Sequence, residues 1–289
     1  MSAVEIAVLP VGGMGTRFLP ATKSVAKELL PVVDRPLLQY AVDEARAAGI
    51  EQFVLVTARG KASLADYFDV AGELVRTLEE RGKDRELAIL AETQLPPGAV
   101  ISTRQQQPLG LGHAVWCARH VVGRRPFAVL LPDEFLHDPA APCLRQMVEA
   151  HARLGGNLLA VMEVPEDQTS RYGIVDPGAT DGRITEVRGL VEKPAPGTAP
   201  SRLAAVGRYI LQPEVMDILG EGRRGAGGEI QLTDAMADLI GRQPFHALTF
   251  TGQRFDCGDK AGHVIANVAI ALERPDIAPA LRAWLATNL

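Results

Sequence analysis

Residues 8–23, VLPVGGMGTRFLPATK, set three glycines and an arginine directly after an apolar run. Glycines let backbone N–H groups approach a phosphate or a base closely, and arginine offers a planar fork of donors to phosphate oxygens. Gly12, Gly13, Gly15, Thr16 and Arg17 are therefore candidates for an anion-binding loop. The plainer alternative is a tight turn with a surface arginine. The segment is not a GxxxxGKS or GxxxxGKT phosphate loop. Nor is it a dinucleotide fingerprint, because the third glycine of G-x-G-x-x-G counted from Gly13 falls at Phe18. Lys23, Lys27 and Arg35 follow closely. They could collect the charge of a polyphosphate or form a solvated face.

Acidic residues recur at the ends of apolar runs. In LLPDEF, Asp133 follows a strand too apolar to hold a charge elsewhere, and a hard oxygen there suits Mg²⁺ bridging phosphates. A loop cap is the simpler role. Glu134 should point the opposite way if the segment is extended. GLVEKP pairs Glu192, able to accept from sugar hydroxyls, with Lys193, able to hold a phosphate. An exposed strand end is the plainer reading of that pair. In RFDCGDK, Asp256 is a second candidate magnesium ligand, and Asp259 is expected to cap the helix that follows. Cys257 reads as a buried thiol. The six histidines form no HExxH pattern, and His113 reads as a structural residue at a helix start. Trp116 and Trp284 read as helix-packing residues.

Glycine-loop amides, cations, two separated aspartates and a possible sugar site suit phosphoryl or nucleotidyl transfer. The enzyme then mainly positions groups and neutralises charge. A phosphate oxygen is already ionised at neutral pH, so such a nucleophile needs no general base. That agrees with the absence of a Ser-His or Cys-His arrangement in the sequence.

The elements that must position these groups are legible as runs. EIAVLPV (5–11) and QFVLVTA (52–58) are predicted strands flanking a helix at 36–50, a βαβ unit with a parallel pair. Residues 61–95 read as helical, AVISTRQ (99–105) as a strand and 111–122 as a helix. FAVLLPDE (127–134) is predicted to be a central parallel strand covered on both faces. A helix and the strand NLLAVMEV (157–164) follow, then hairpin-like texture with Asp/Gly turns across 171–194. AAVGRYIL (204–211) and FHALTF (245–250) are further strands, with helices near 213–219, 229–241, 259–273 and 276–287. This is one α/β domain with a mixed sheet, a hairpin-rich second half and a helical tail.

Bulk properties agree. The 289 residues are 47% hydrophobic and 22% charged, with net charge −5. An acidic balance argues against a nucleic-acid backbone as partner. Cys117, Cys143 and Cys257 form neither a disulfide framework nor a zinc spacing. The N-terminus lacks a signal-peptide pattern, and no apolar run approaches the ~18 residues of a membrane span. A cytoplasmic protein with no membrane partner is expected.

Taken together, GGMGTRFLPATKSVAKELLPVVDRPLLQYAVDEA, RQQQPLGLGHAVWCA, FAVLLPDE, YGIVD, VEKP, AVGRYIL, GAGGEIQLTDAM and FDCGDKAG resemble the bacterial UTP–glucose-1-phosphate uridylyltransferases, in order, from about residue 5 to 270. The resemblance implies a Rossmann-like nucleotidyltransferase fold, with a mixed, mostly parallel central sheet flanked by helices. It implies a single domain with a nucleotide-binding part (about 1–135), a hairpin-rich sugar-phosphate part (about 136–258) and C-terminal helices (about 259–289). It implies Mg²⁺-dependent formation of UDP-glucose and pyrophosphate from UTP and α-D-glucose 1-phosphate, by a homodimer or homotetramer.

By motif, Gly12 and Gly13 contact uridine, with Gly15 and Thr16 completing the loop, and Gln105 and Gly110 read the uracil. Gln106 is the alternative to Gln105. Arg17 and Lys27 hold the departing pyrophosphate, Asp133 and Asp256 bind Mg²⁺, Gly173, Glu192 and Gly207 line the glucose site, and Lys193 binds its phosphate. Two positions depart from the family's pattern. Gly12 stands where alanine is usual, and Ala26 where proline is usual, losing stiffness but no contact group. Glucose-1-phosphate thymidylyltransferases are the alternative within the fold, and a non-catalytic regulatory paralogue is the alternative outside catalysis. The latter should have lost Arg17 or a metal aspartate, yet all are present.

Overall fold

The computed structural model describes residues 3–288. Its main element is a nine-stranded mixed sheet. Strands β1 (Ile6–Pro10), β2 (Gln52–Thr57), β3 (Val100–Arg104) and β4 (Phe127–Leu130) run parallel in the spatial order β3-β2-β1-β4. Further strands are β5 (Glu134–His137), β6 (Asn157–Glu163), β7 (Gly173–Asp181), β8 (Ile184–Glu192), β9 (Leu203–Leu211), β10 (Phe245–Thr249) and β11 (Gln253–Asp256), and the two-residue strands Pro31–Val32 and Arg35–Pro36 pair with each other apart from the main sheet. Beyond β4 the order continues β9-β6-β10-β8-β7. There β9 is antiparallel to both β4 and β6, β10 is parallel to β6, and β7–β8 is the expected antiparallel hairpin.

The sheet is covered on both faces, which explains its apolar strands. Ile6 and Val8 enter one core with Val54, Val56 and Val129. Ala7 and Leu9 enter the other with Phe53, Leu55 and Leu130. Alternate residues serve opposite faces, so an unbroken apolar run is needed. Each large side chain so buried stabilises the fold by roughly 1.5–3 kcal/mol.

Several elements are shorter than the sequence pattern suggested. Residues 61–95, read as helical over KASLADYFD and then GELVRTLEERGKDRELAILAE, form helices at Ser63–Asp66, Gly72–Glu80 and Asp84–Thr93, so the second stretch is broken in two. The segment 111–122 divides into Leu111–Trp116 and Arg119–Val122. The helix expected over 229–241 is limited to Leu232–Ala237. FAVLLPDE is not one strand: β4 ends at Leu130, a turn follows, and β5 starts at Glu134. β5 pairs with β11 in a separate two-stranded ladder that sets Glu134 opposite Asp256. No such ladder was expected, and it is what brings the two acidic motifs together.

Trp116 packs against the core, with the Arg119 guanidinium 3.5 Å over its ring. Trp284 does not pack: it is 59% exposed, as are Val264 and Ile265 to a similar degree. Among the described residues, no helix is long and apolar enough to cross a membrane.

Candidate active site

β1 delivers the glycine loop. Val11 N donates to Val56 O (3.0 Å), holding the chain in register until Gly12 leaves the sheet. A methyl group on Gly12 would lie 3.5 Å from Gln105 Oε1. Gln105 Nε2 in turn donates to Gly110 O (2.9 Å), so this side chain spans the two loops. Gln106 and Gln107 are exposed and line a different groove beside Trp116 and Arg119. Gly110 has φ +107°, and a Cβ there would come within 2.8 Å of Ile230 O, so only glycine fits. His113 Nδ1 lies 3.1 Å from Gln105 Nε2. Burial, then the Arg119 charge, lowers its pKa, which suits a neutral, structural imidazole.

Beyond the loop lie the charges. Thr22 Oγ1 donates to Gly15 O (2.7 Å), pinning the turn ahead of Thr16 and Arg17, and Arg17 Nη1 donates to Gly258 O (3.4 Å). Lys27 Nζ donates to Asp133 Oδ2 at 2.5 Å and would lie 3.7 Å from a Cβ on Gly13. Burial opposes both charged forms, yet their mutual attraction wins. It holds the Asp133 carboxyl below and the Lys27 ammonium above the ordinary values. Cys257 N donates to Asp133 O (2.8 Å), which ties the turn to the end of β11. Gly258 leaves a gap where a Cβ would sit 3.0 Å from Asp256 Oδ1, 3.3 Å from Asp133 Oδ2 and 3.6 Å from Arg17 Nη1. Two carboxylates and a guanidinium thus face one point.

Glu134 pairs with Arg254 at the start of β5, while Asp133 lies in the turn before it, so the alternation expected of an extended segment does not apply. Asp259 Oδ1 accepts from Gly262 N (2.9 Å) and caps the Lys260–Glu273 helix, as expected. Cys257 is 1% exposed, and burial followed by the nearby carboxylates pushes its thiol up to about 12. It remains a buried thiol at neutral pH.

The hairpin supplies the opposite wall. The β7–β8 register sets Gly173 across from Glu192. Lys193 has φ +46°, an unusual conformation for a residue with a side chain, and its N–H donates to Tyr172 O (2.9 Å). Its ammonium is half-exposed, 3.4 Å from Glu192 Oε1. Gly207 lies at a register shift in β9 with φ +54°, and a Cβ would come 2.8 Å from Glu134 Cγ. The structure therefore seats Gly207 against the Asp133 turn.

Some residues fall elsewhere or had not been singled out. Arg35 is not a polyphosphate ligand in this arrangement: it pairs with Asp43 (2.6 Å) and Glu92 (3.4 Å). Lys23 is exposed, and its side chain makes no hydrogen bond among the described residues. Arg171 Nη2 and Arg254 Nη2 lie 3.6 and 3.8 Å from Asp256 Oδ2, and neither was anticipated. Arg254 was visible only as the residue two before Asp256, and the unpredicted β5–β11 ladder sets its distance.

Residues 6–271 match the family model described as nucleotidyl transferase. The chain is 55% identical over 254 residues to a UTP–glucose-1-phosphate uridylyltransferase of Komagataeibacter xylinus, covering 88% of this chain and 89% of the relative. The chain belongs to the UTP–glucose-1-phosphate uridylyltransferase family. A Bacillus subtilis uridylyltransferase is 45% identical, covering 96% of this chain and 94% of the relative. A UTP-bound UGPase of Acinetobacter baumannii superposes with TM-score 0.91 at 43% identity, covering 99% of this chain and all of that one. This uridylyltransferase family accounts for the α/β nucleotidyltransferase fold and its mixed sheet.

Proposed function

We propose that the chain, as a single nucleotidyltransferase unit in the cytoplasm, transfers a uridylyl group from UTP to α-D-glucose 1-phosphate. The products are UDP-glucose and pyrophosphate. One observation carries the mechanism: Asp133, Asp256 and Arg17 approach one point at Gly258, and Lys27 is paired with Asp133 beside it. We assign about 1–135 to the nucleotide, about 136–258 to the sugar phosphate and about 259–289 to the helical tail.

In this reading Gly12, Gly13, Gly15 and Thr16 seat the nucleoside and its phosphates, and Gln105 with Gly110 reads the uracil. Glu192 and Gly173 receive the glucose, beside Gly207. Lys193 holds the sugar phosphate and aims one of its oxygens at the α-phosphorus. That oxygen forms the new P–O bond while the bond from the α-phosphorus to the bridging oxygen of the β-phosphate breaks. The electron pair leaves with pyrophosphate, whose charge Arg17 and Lys27 neutralise. No proton has to be removed from the nucleophile.

The hard oxygens of Asp133 and Asp256, which approach one point, suit Mg²⁺ and are the groups that would hold it. Bound there, the ion would supply charge stabilisation for the phosphates. Pyrophosphate release should be fastest with UTP plus glucose 1-phosphate, vanish with EDTA and return with Mg²⁺. A higher kcat/KM for dTTP would move the chain to the thymidylyltransferase reading.

Lys193→Ala should raise KM for glucose 1-phosphate by about tenfold or more, because a charge-assisted phosphate contact is lost. KM for UTP should change little. Unaltered glucose 1-phosphate kinetics would remove Lys193 from the site.

A further inference from the structure

Residues 225–236, GAGGEIQLTDAM, contain none of the candidate ligand-binding residues, yet they touch both halves of the site. Ile230 N donates to Leu109 O (2.7 Å), and Gly112 N donates to Ile230 O (2.8 Å). These bonds splice the segment to the loop that carries Gly110. Three residues later, Thr233 Oγ1 donates to Glu192 Oε2 at 2.7 Å. Thr233 is 8% exposed and the Glu192 side chain 12%. Gly173 closes the same corner: a Cβ on it would lie 3.2 Å from Thr233 Oγ1 and 3.3 Å from Glu192 Oε2.

The Thr233 hydroxyl is not engaged in starting its own helix. Gln231 is the N-cap of Leu232–Ala237, and no side chain caps that end. The hydroxyl reaches across to the hairpin instead. Glutamate has three side-chain torsions, and an untethered carboxylate would have to be ordered at every binding event. Each carboxylate oxygen can accept more than one hydrogen bond, so a fixed donor on Oε2 leaves capacity for a ligand hydroxyl.

We propose that Thr233 is a positioning residue that fixes the Glu192 carboxylate, and so sets discrimination among hexose 1-phosphates. This rests on the reading above that Glu192 faces the sugar. The effect is confined to the sugar phosphate, because Thr233 bonds Glu192 while the splice to the nucleoside loop is made by the Ile230 backbone, which no side-chain change removes.

Thr233→Val keeps the shape and removes the donor, whereas Thr233→Ser keeps the donor. With the valine variant, KM for glucose 1-phosphate should rise about tenfold, the scale of one hydrogen bond to a charged group. KM for UTP and calorimetric UTP affinity should stay within about twofold, a difference too small to represent a lost contact. Preference for glucose 1-phosphate over galactose 1-phosphate should fall severalfold, and serine should restore both parameters. Thr233→Ala gives the same readout should valine not fold. The inference is overturned if the glucose 1-phosphate parameters stay put, if KM rises equally for both substrates, or if serine fails to rescue. A wild-type protein that releases no pyrophosphate from UTP and glucose 1-phosphate would instead overturn the proposed reaction. A normal wild type with an unaltered valine variant overturns only the role of Thr233.

Discussion

Asp133→Asn should lower the rate of pyrophosphate release by about 10³-fold, the scale on which preorganised charge stabilisation is lost when one group is removed. The substitution keeps the size and one acceptor oxygen but removes the negative charge. Two consequences follow from the geometry. A hard anionic ligand is lost from the point it shares with Asp256 and Arg17. The Lys27 ammonium, 2.5 Å from Asp133 Oδ2, also loses its counter-charge and gains freedom to drift from the phosphate path. The fold should survive, because the side chains of this pair are 22% and 28% exposed, and water can solvate the orphaned cation. Steady-state kinetics with a thermal melt on the same preparation decides between catalytic and structural failure. A near-wild-type rate would remove Asp133 from the metal site, and a collapsed melt would make the rate uninterpretable as chemistry. Asp256→Asn is the useful companion: it removes the second carboxylate and the partner of Arg171, while Arg254 stays held by Glu134 and Tyr172.

The residues legible from sequence share one property: their local pattern leaves few places to go. Asp133 follows an apolar strand buried on both faces, so a charge there must lie past the strand's end. Gly110 and the glycine loop follow strands in a parallel array, where the carboxyl ends of strands gather ligands. Gln105 could be separated from Gln106 only by spacing to GLGH, and the structure puts its amide between Gly12 and Gly110. What was not legible depends on pairing between distant segments. The β5–β11 ladder uses strands of four residues each, too short to show a period. The break within GELVRTLEERGKDRELAILAE comes at Gly82, with φ +62°, which helical spacing alone does not mark. Trp284 was expected to be a helix-packing residue, but it is 59% exposed.

Arg208 is the strongest case of a residue hidden by its context. In AVGRYIL it is the one charged residue of an otherwise largely apolar strand. β9 lies inside a sheet covered on both faces, and Arg208 is 1% exposed. Its Nη2 and Nε donate to the Glu44 carboxylate at 2.8 and 3.1 Å. Nη1 donates to Leu131 O (2.9 Å) and Gly207 O (3.1 Å), and Nη2 also donates to Glu134 O (2.9 Å). One guanidinium therefore holds both shoulders of the turn that presents Asp133. Arg208→Met should cost about 3–5 kcal/mol, because it strands a buried carboxylate. For a chain of this size that is a fall in Tm of roughly 6–20 °C. The double variant Arg208→Met/Glu44→Met separates two sources of the loss. Removing both charges should recover the part due to an unpaired ion. It should not recover the part due to the lost guanidinium bonds to the carbonyls of Leu131, Gly207 and Glu134, although Leu131 O still accepts from Glu134 N and Gly207 O from Leu131 N. Activity follows the carbonyls rather than the ion pair: the double variant should regain stability while kcat stays depressed, since the Asp133 turn remains loose. Full recovery of both Tm and kcat would show that Arg208 is only a buried ion-pair partner. Recovery of neither would show that the carbonyl clamp accounts for the whole effect.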